Sequence, residues 1–246
     1  MAWLAGLAGT VQAGPVVDAR LAWSERTELG SPLSGRVAEV LVAPGDTVEP
    51  GQPLLRLDRR ALLARREAAR ARLAAARQRL AEAARERDRI QALFDRTLLS
   101  EHELQVARID HAAAQAAELG ARAELAIVEQ RLDEAELRAP FEALILSVAA
   151  RAGQTVVNRL QAAPLVVVAR TGRMQALASL PAEQIATLAT GQAVRVMVGK
   201  QDFEGRILDA GLEPAGSDGL YLLRVEFDIG PEQGLRAGMA ARIGLP

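Results

Sequence analysis

The chain has 246 residues, enough for one or two ordinary domains or several small ones, and half of them are hydrophobic while only 3% are aromatic. Apolar content of this kind, dominated by Ala, Leu and Val, suits helical seams and small β-modules better than one large core. A formal net charge of −1 offers no general field for nucleic acid or an acidic membrane, and the absence of cysteine excludes disulfides, thiol chemistry, Cys-ligated metal and a lipid-bearing cysteine.

Residues 1–13 are short and apolar and end in Val11-Gln12-Ala13 before Gly14-Pro15. Small residues at Val11 and Ala13 resemble a signal-peptidase site, so 1–13 reads as a signal peptide, although no positive charge precedes the apolar run. The alternative is an unstructured N-terminus. No other stretch approaches the roughly 20 apolar residues of a membrane span. Val16 to Trp23 then reads as a strand.

An internal repeat follows. Ser31-Pro32-Leu33-Ser34-Gly35 aligns with Ala139-Pro140-Phe141-Glu142-Ala143, and at the same offset Val37 matches Ile145, Val40 matches Val148, Gly45-Asp46 matches Gly153-Gln154, and Val48 matches Val156. After a short insertion in the second copy, Pro53 to Leu57 matches Pro164 to Val168. Each copy reads as short strands, such as Val37 to Val42, separated by tight turns. Pro44-Gly45-Asp46 and Pro50-Gly51 are turn sequences, and Gly35, Gly45, Gly51 and Gly153 are read as structural turn residues. One copy has too few strands to bury a face, so two copies are expected to close a small flattened barrel or sandwich.

Between the copies no Pro occurs from Leu54 to Ala139, and no Gly between Gly51 and Gly120. Ala, Leu, Arg and Glu dominate, all good helix formers. Leu73, Leu80 and Arg87 lie seven apart, as do Ala76 and Ala83, which is a coiled-coil period. The pattern breaks near Thr97 to Glu103, where Ser100 followed three residues on by Glu103 forms a capping box for a second helix. Residues 59–96 carry twelve arginines and five acidic residues, whereas 101–136 carry three arginines and nine acidic residues. Opposite charge on neighbouring helices favours an antiparallel hairpin, with the Ala-rich seam supplying most of the association, because each exposed pair contributes only about 0.3–0.5 kcal/mol. Gly120 is expected to soften the second arm.

Beyond Ala169 strand patterns return: Met174 to Leu180, Ala193 to Val198, Phe203 to Leu208, Leu220 to Phe227 and Met239 to Ile243, with a helical piece at Pro181 to Leu188. Together with Val16 to Trp23 they suggest a small antiparallel barrel. The fold class is thus α+β, elongated and multi-domain, with nested segments: 14–30 plus 170–246 as barrel, 31–58 plus 137–169 as the split β-module, and 59–136 as the helical hairpin.

With this nesting the chain resembles the membrane fusion protein (HlyD-like, periplasmic adaptor) family over nearly its full length. The repeat looks like the two halves of a lipoyl-type domain, in Ser34-Gly35-Arg36-Val37 through Gly45 to Gln52 and in Arg138-Ala139-Pro140-Phe141. Gly191-Gln192-Ala193-Val194, Phe203 to Ile207 and Leu235 to Met239 resemble the adaptor barrel. At the hairpin tip Arg89, Leu93 and Ser100 reproduce the Arg-x3-Leu-x6-Ser motif by which RND-type adaptors engage TolC-like channels, and the resemblance continues through Glu103, Leu104 and Ala107. Read without the family, the same three residues are a solvated arginine, a seam leucine and an N-cap serine. Two departures stand in the second half: Ala143 where the family usually has Gly, and Asn158-Arg159 in place of a Gly-rich turn. The family's usual membrane-proximal segment has no counterpart before Pro246.

The resemblance implies a periplasmic adaptor, peripheral to the inner membrane, that links an RND-type transporter to a TolC-like outer-membrane channel and self-associates, as a hexamer, in the assembled pump. It implies no enzyme activity, no cofactor, no metal and no nucleic-acid partner. A lipoyl carrier role is disfavoured because the turn that would bear the modified lysine is replaced by the helical insertion, and the single lysine, Lys200, lies in the third segment. His102 and His111, the only histidines, read as helix-surface residues. The remaining alternatives are a structural coiled-coil bridge of the cell envelope and an adaptor for an ABC-type exporter.

Overall fold

A computed structural model describes residues 15–158, 163–230 and 233–245. The expected signal segment 1–13 and Arg159 lie outside the described residues. In chain order the elements are β1 (Val16–Trp23), β2 (Thr27–Leu29), β3 (Gly35–Val40), β4 (Thr47–Val48), β5 (Pro53–Leu57), α1 (Arg60–Phe94), α2 (Glu101–Glu134), β6 (Glu136–Arg138), β7 (Ala143–Val148), β8 (Thr155–Val156) and β9 (Val166–Arg170). They continue with β10 (Arg173–Leu180), α3 (Ala182–Ile185), β11 (Ala193–Val198), β12 (Gln201–Pro214), β13 (Tyr221–Asp228) and β14 (Ala240–Gly244).

Six strands close an antiparallel barrel in the order β1-β10-β13-β12-β11-β14. Alternation drives this closure: in β10, Met174, Ala176, Ala178 and Leu180 point inward while the residues between them face out. Val196, Ile207, Leu223, Val225, Phe227 and Ile243 fill the interior, and the rings of Phe203 and Phe227 meet at 5.1 Å. Burying each such side chain fully contributes about 1.5–3 kcal/mol. Gly205 in β12 is required by close approach, since a Cβ there would lie 2.7 Å from Val225 Cγ1 and 2.9 Å from Val196 Cγ2. The strand expected at Phe203 to Leu208 extends to Gln201–Pro214, with register shifts after Ile207 and after Ala210.

The repeat folds as two four-stranded sheets, β2-β9-β7-β4 and β6-β5-β3-β8. Each copy lends a short strand to the other: Val48 of β4 pairs with Ala143 of β7, and Val156 of β8 pairs with Gly35 of β3. These are the same pair under the repeat offset. The equivalence reaches the irregularities, because Val37/Glu39 opposite Leu57/Arg56 and Ile145/Ser147 opposite Val168/Val167 carry matching register shifts. Gly45 and Gly153 hold the corresponding turns at φ 98° and 85°, and in each the side chain of the next residue, Asp46 or Gln154, accepts from a backbone N–H three residues earlier. Gly51 likewise has φ 78°. Gly35 differs from the expectation. It opens β3 rather than a turn, and a Cβ there would only touch Leu57 Cδ1 at 3.4 Å. Its counterpart Ala143 is fully buried in β7, so the alanine is accommodated.

Residues 27–29, expected within the barrel segment 14–30, instead form β2 on the edge of the module, pairing with β9. There Leu29 opposite Val166 mirrors Leu137 opposite Leu55 in the other sheet. Two chain crossings join module and barrel. They are tied by Arg170, whose amide donates to Ser24 O, whose guanidinium pairs with Glu25 at 2.7 Å and stacks over Phe141, and by Ser24 Oγ donating to Glu226.

The hairpin leaves the module between β5 and β6. Leu57 N donates to Ala135 O and Arg56 pairs with Glu136, so the two ends of the insertion are hydrogen-bonded neighbours. Asp58 starts α1 by accepting from Arg60 N, while Arg59 at the N-cap position supplies no side-chain cap. At 1.5 Å per residue α1 extends roughly 52 Å. Gly120 does not interrupt α2, which is continuous from Glu101 to Glu134, because the helical hydrogen bonds on either side carry one exposed glycine at a cost of only about 1 kcal/mol.

Candidate functional site

The two arms meet along a heptad seam. In α1, Ala69, Leu73, Ala76, Leu80, Ala83, Arg87 and Ile90 turn toward α2, and Leu104, Ala107, His111, Ala114, Glu118, Ala121, Leu125, Val128 and Leu132 turn back. Cross-arm contacts set the register: Arg70 to Glu129 at 3.4 Å, Arg72 to Glu124 at 2.5 Å, Arg77 to Glu118 at 3.4 Å, and Arg108 donating to Gln91 at 2.9 Å. Most of these pairs are exposed and contribute little each; together they agree on one register.

At the tip, Arg96 N and Leu98 N both donate to Leu93 O, and Thr97 N donates to Phe94 O, which reverses the chain within five residues. Thr97 takes φ 63°, a conformation a β-branched residue adopts only under constraint. Ser100 is the N-cap of α2 and the capping box is complete: Glu103 N donates to Ser100 Oγ, while Ser100 N and Oγ donate to Glu103 Oε2, each at 2.8 Å. The amide and hydroxyl of Ser100 hold the Glu103 carboxyl below its ordinary range.

Arg89 and Leu93 lie on the last two turns of α1, and Ser100 opens α2 on the far side of the loop. The Arg89 guanidinium is 65% exposed and bidentate on Glu86, and that hydrogen bond holds the Glu86 carboxyl low. Leu93 is half-buried and Ser100 exposed. The tip thus presents a guanidinium oriented by Glu86, an apolar shoulder, and a hydroxyl held by the cap. Sequence reasoning passed over Leu98, which is 66% exposed and projects from the tip. Its signal was the apolar pair Leu98-Leu99 in a turn that otherwise calls for polar residues.

Elsewhere, a cleft of about 440 Å³ at the base of the hairpin is lined by Arg36, Arg56, Arg59 and Arg60 with Glu39 and Asp58. Arg56 pairs there with Glu39 and Arg60 with Asp58, whose carboxyl the Arg60 guanidinium holds down at about 2. Among the described residues no three His, Cys, Asp or Glu side chains gather as a metal site, and no helix is long and apolar enough to cross a membrane.

No protein-family model matches the chain. Over 224 residues it is 30% identical to the nodulation protein NolF of Rhizobium meliloti (strain 1021), covering 89% of this chain and 59% of that protein. The chain therefore spans about three-fifths of the length of the curated relative it matches. Two solved structures share its architecture. One is a MacA-MexA chimera containing the Pseudomonas aeruginosa MexA α-hairpin domain, with TM-score 0.73, 21% identity and coverage of 96% of this chain and 82% of the other. The second is the membrane fusion protein Spr0693 of Streptococcus pneumoniae R6, with TM-score 0.72, 17% identity and coverage of 93% and 97%.

Proposed function

From a chain that has the fold of the membrane fusion proteins, the periplasmic adaptors, we propose an adaptor of a tripartite export pump. In this reading it lies in the periplasm and joins an inner-membrane transporter of RND type to a TolC-like outer-membrane channel. It does no chemistry and carries no cofactor. Several copies, six in the closed ring, surround a conduit with their hairpins toward the channel and their barrels toward the transporter.

The observation that carries this reading is the stiff antiparallel hairpin that ends in an exposed Arg89 and Ser100 flanking a half-buried Leu93. Length and stiffness let a soluble body reach a distant partner, and three small contacts per copy gain avidity only when several copies engage at once. The RND assignment, as against an ABC-type exporter, rests on the spacing of those three residues. A structural bridge of the envelope would need the hairpin but not the tip chemistry.

The test is drug susceptibility of a deletion strain complemented with the wild type, with Arg89→Asp or with Ser100→Asp. Aspartate at Ser100 keeps an N-cap acceptor, so it changes the contact surface without removing the helix start. The wild type should restore resistance and both folded variants should lose most of it. Equal restoration by all three chains defeats the tip assignment. A deletion without phenotype across a broad compound panel removes efflux in favour of the structural bridge.

A further inference from the structure

The cleft at the base of the hairpin lies between two parts of the fold. Arg36, Arg56 and Gly153 belong to the module, whereas Arg59, Arg60 and Leu63 open the hairpin. Its lining holds four arginines against two acidic residues, an excess of two positive charges in about 440 Å³. A volume of that order accepts a small organic molecule. Neighbouring groups do not remove the excess, because the buried Glu136 is shared with Arg138 as well as with Arg56 and Arg59.

Two of the four guanidinium groups are engaged and two are open. Arg56 donates to Glu136 and Glu39, and Arg60 to Asp58. Arg36 faces Asp58 across the ladder, where Asp58 N donates to Arg36 O, yet its guanidinium donates to no group among the described residues. The Asp58 carboxyl, held at about 2 first by its Arg60 hydrogen bond, feels Arg36 only as a nearby charge. Arg36 lies instead over the Gly153 turn, where an added Cβ would stand 3.5 Å from its Nη2. Arg59 approaches Glu136 only to 4.0 Å, beyond hydrogen-bonding distance. Each open fork carries five N–H donors. Leu63, 38% exposed, adds an apolar wall to the same cleft.

We infer that this cleft binds an organic phosphate monoester, with the phosphate between Arg36 and Arg59 and its organic group against Leu63. Charge selects the monoester. Near neutral pH it carries close to two negative charges, whereas a sulfate ester or a phosphodiester carries one. Its three terminal oxygens accept from two guanidinium forks at once, which the two oxygens of a carboxylate do less completely. Glu39 and Asp58 oppose it little, because each is already paired with its own arginine. Bound there, the ligand ties β3 to the first turn of α1 and braces the hairpin on the module. The site stands apart from the adaptor reading, since its test reads binding and not resistance.

Isothermal titration of the full chain with phenyl phosphate tests the inference. Phenyl sulfate serves as the monoanion of the same shape, and inorganic phosphate as the anion without the apolar group. Phenyl phosphate should bind at one site, about ten-fold more tightly than either control. Arg36→Gln and Arg59→Gln should each weaken it about ten-fold, whereas Arg79→Gln, on the same arm but far from the cleft, should leave it unchanged. Neither cleft arginine holds a side-chain hydrogen bond among the described residues, so both variants should melt as the wild type does. If one of them fails to fold, the other and the phosphate–sulfate comparison decide. No binding at millimolar ligand, equal affinity for either control, or unchanged affinity in the folded variants overturns the inference. Vesicles carrying phosphatidic acid, itself a phosphate monoester, identify the source. Co-sedimentation that both variants lose assigns the phosphate to a lipid; phenyl phosphate binding without co-sedimentation assigns it to a soluble molecule.

Discussion

Glu136 shows how single side chains hold the base of the hairpin. Its carboxylate, 6% exposed, pairs with Arg56 at 2.5 Å, with Arg138, and with Arg59 at 4.0 Å. Burial alone would raise its pKa, but the Arg56 hydrogen bond and the charges of Arg138, Arg56 and Arg59 outweigh it and hold the carboxyl below the ordinary value of 4.5. A depressed carboxylate stabilises the fold at neutral pH, and this contribution is lost as pH falls below 4.5 and through the folded-state value. Glu136→Gln should lower stability at pH 7 by about 1–2 kcal/mol, since its arginine partners stay partly hydrated. It should also flatten the decline of stability below pH 4.5. Denaturant titrations of both chains at pH 7 and at pH 4 measure the two effects, and an unchanged acid limb in the variant would show that other carboxylates govern it.

At the scale of elements, the hairpin seam contains one buried acid. Glu118 is paired with Arg77 across the seam and with Arg122 one turn on at 2.8 Å. A polar residue at a seam position fixes register at a cost in stability, because its desolvation is only partly offset by pairing. Glu118→Leu should therefore raise the stability of the hairpin by about 1 kcal/mol, seen as a higher midpoint in the helical signal on heating. A lower midpoint would mean that the Arg77–Glu118–Arg122 cluster stabilises more than a leucine would. The tip follows different physics. There the capping box of Ser100 and Glu103 and the constrained Thr97 order a loop with little apolar burial.

At the scale of the molecule, the nesting makes a definite statement about independence. The ends of the insertion are adjacent, with Leu57 N donating to Ala135 O, and the module core of Val37, Leu54, Leu55, Ile145 and Val166 draws nothing from the distant two-thirds of the hairpin. A chain in which residues 59–134 are replaced by a short glycine-asparagine turn should still fold, because β5 and β6 then form an ordinary β-hairpin. Circular dichroism should lose the helical signal and keep a cooperative β-type transition. Aggregation or a non-cooperative melt would show that the module needs the hairpin to fold.

The residues by themselves determine the parts whose physics is local. Turn glycines at Gly45 and Gly153, the alternation in β10, the seven-residue spacing from Leu73 to Arg87 and the capping box at Ser100 each declare an element from a few neighbours. The repeat declares itself as well, since two copies solving the same packing problem keep the same apolar positions. Tertiary structure decided what depends on distant partners. The exchange of β4 and β8 between copies, the placement of β2 against β9 rather than in the barrel, and the opening of β3 by Gly35 follow from which edges are free once both sheets form.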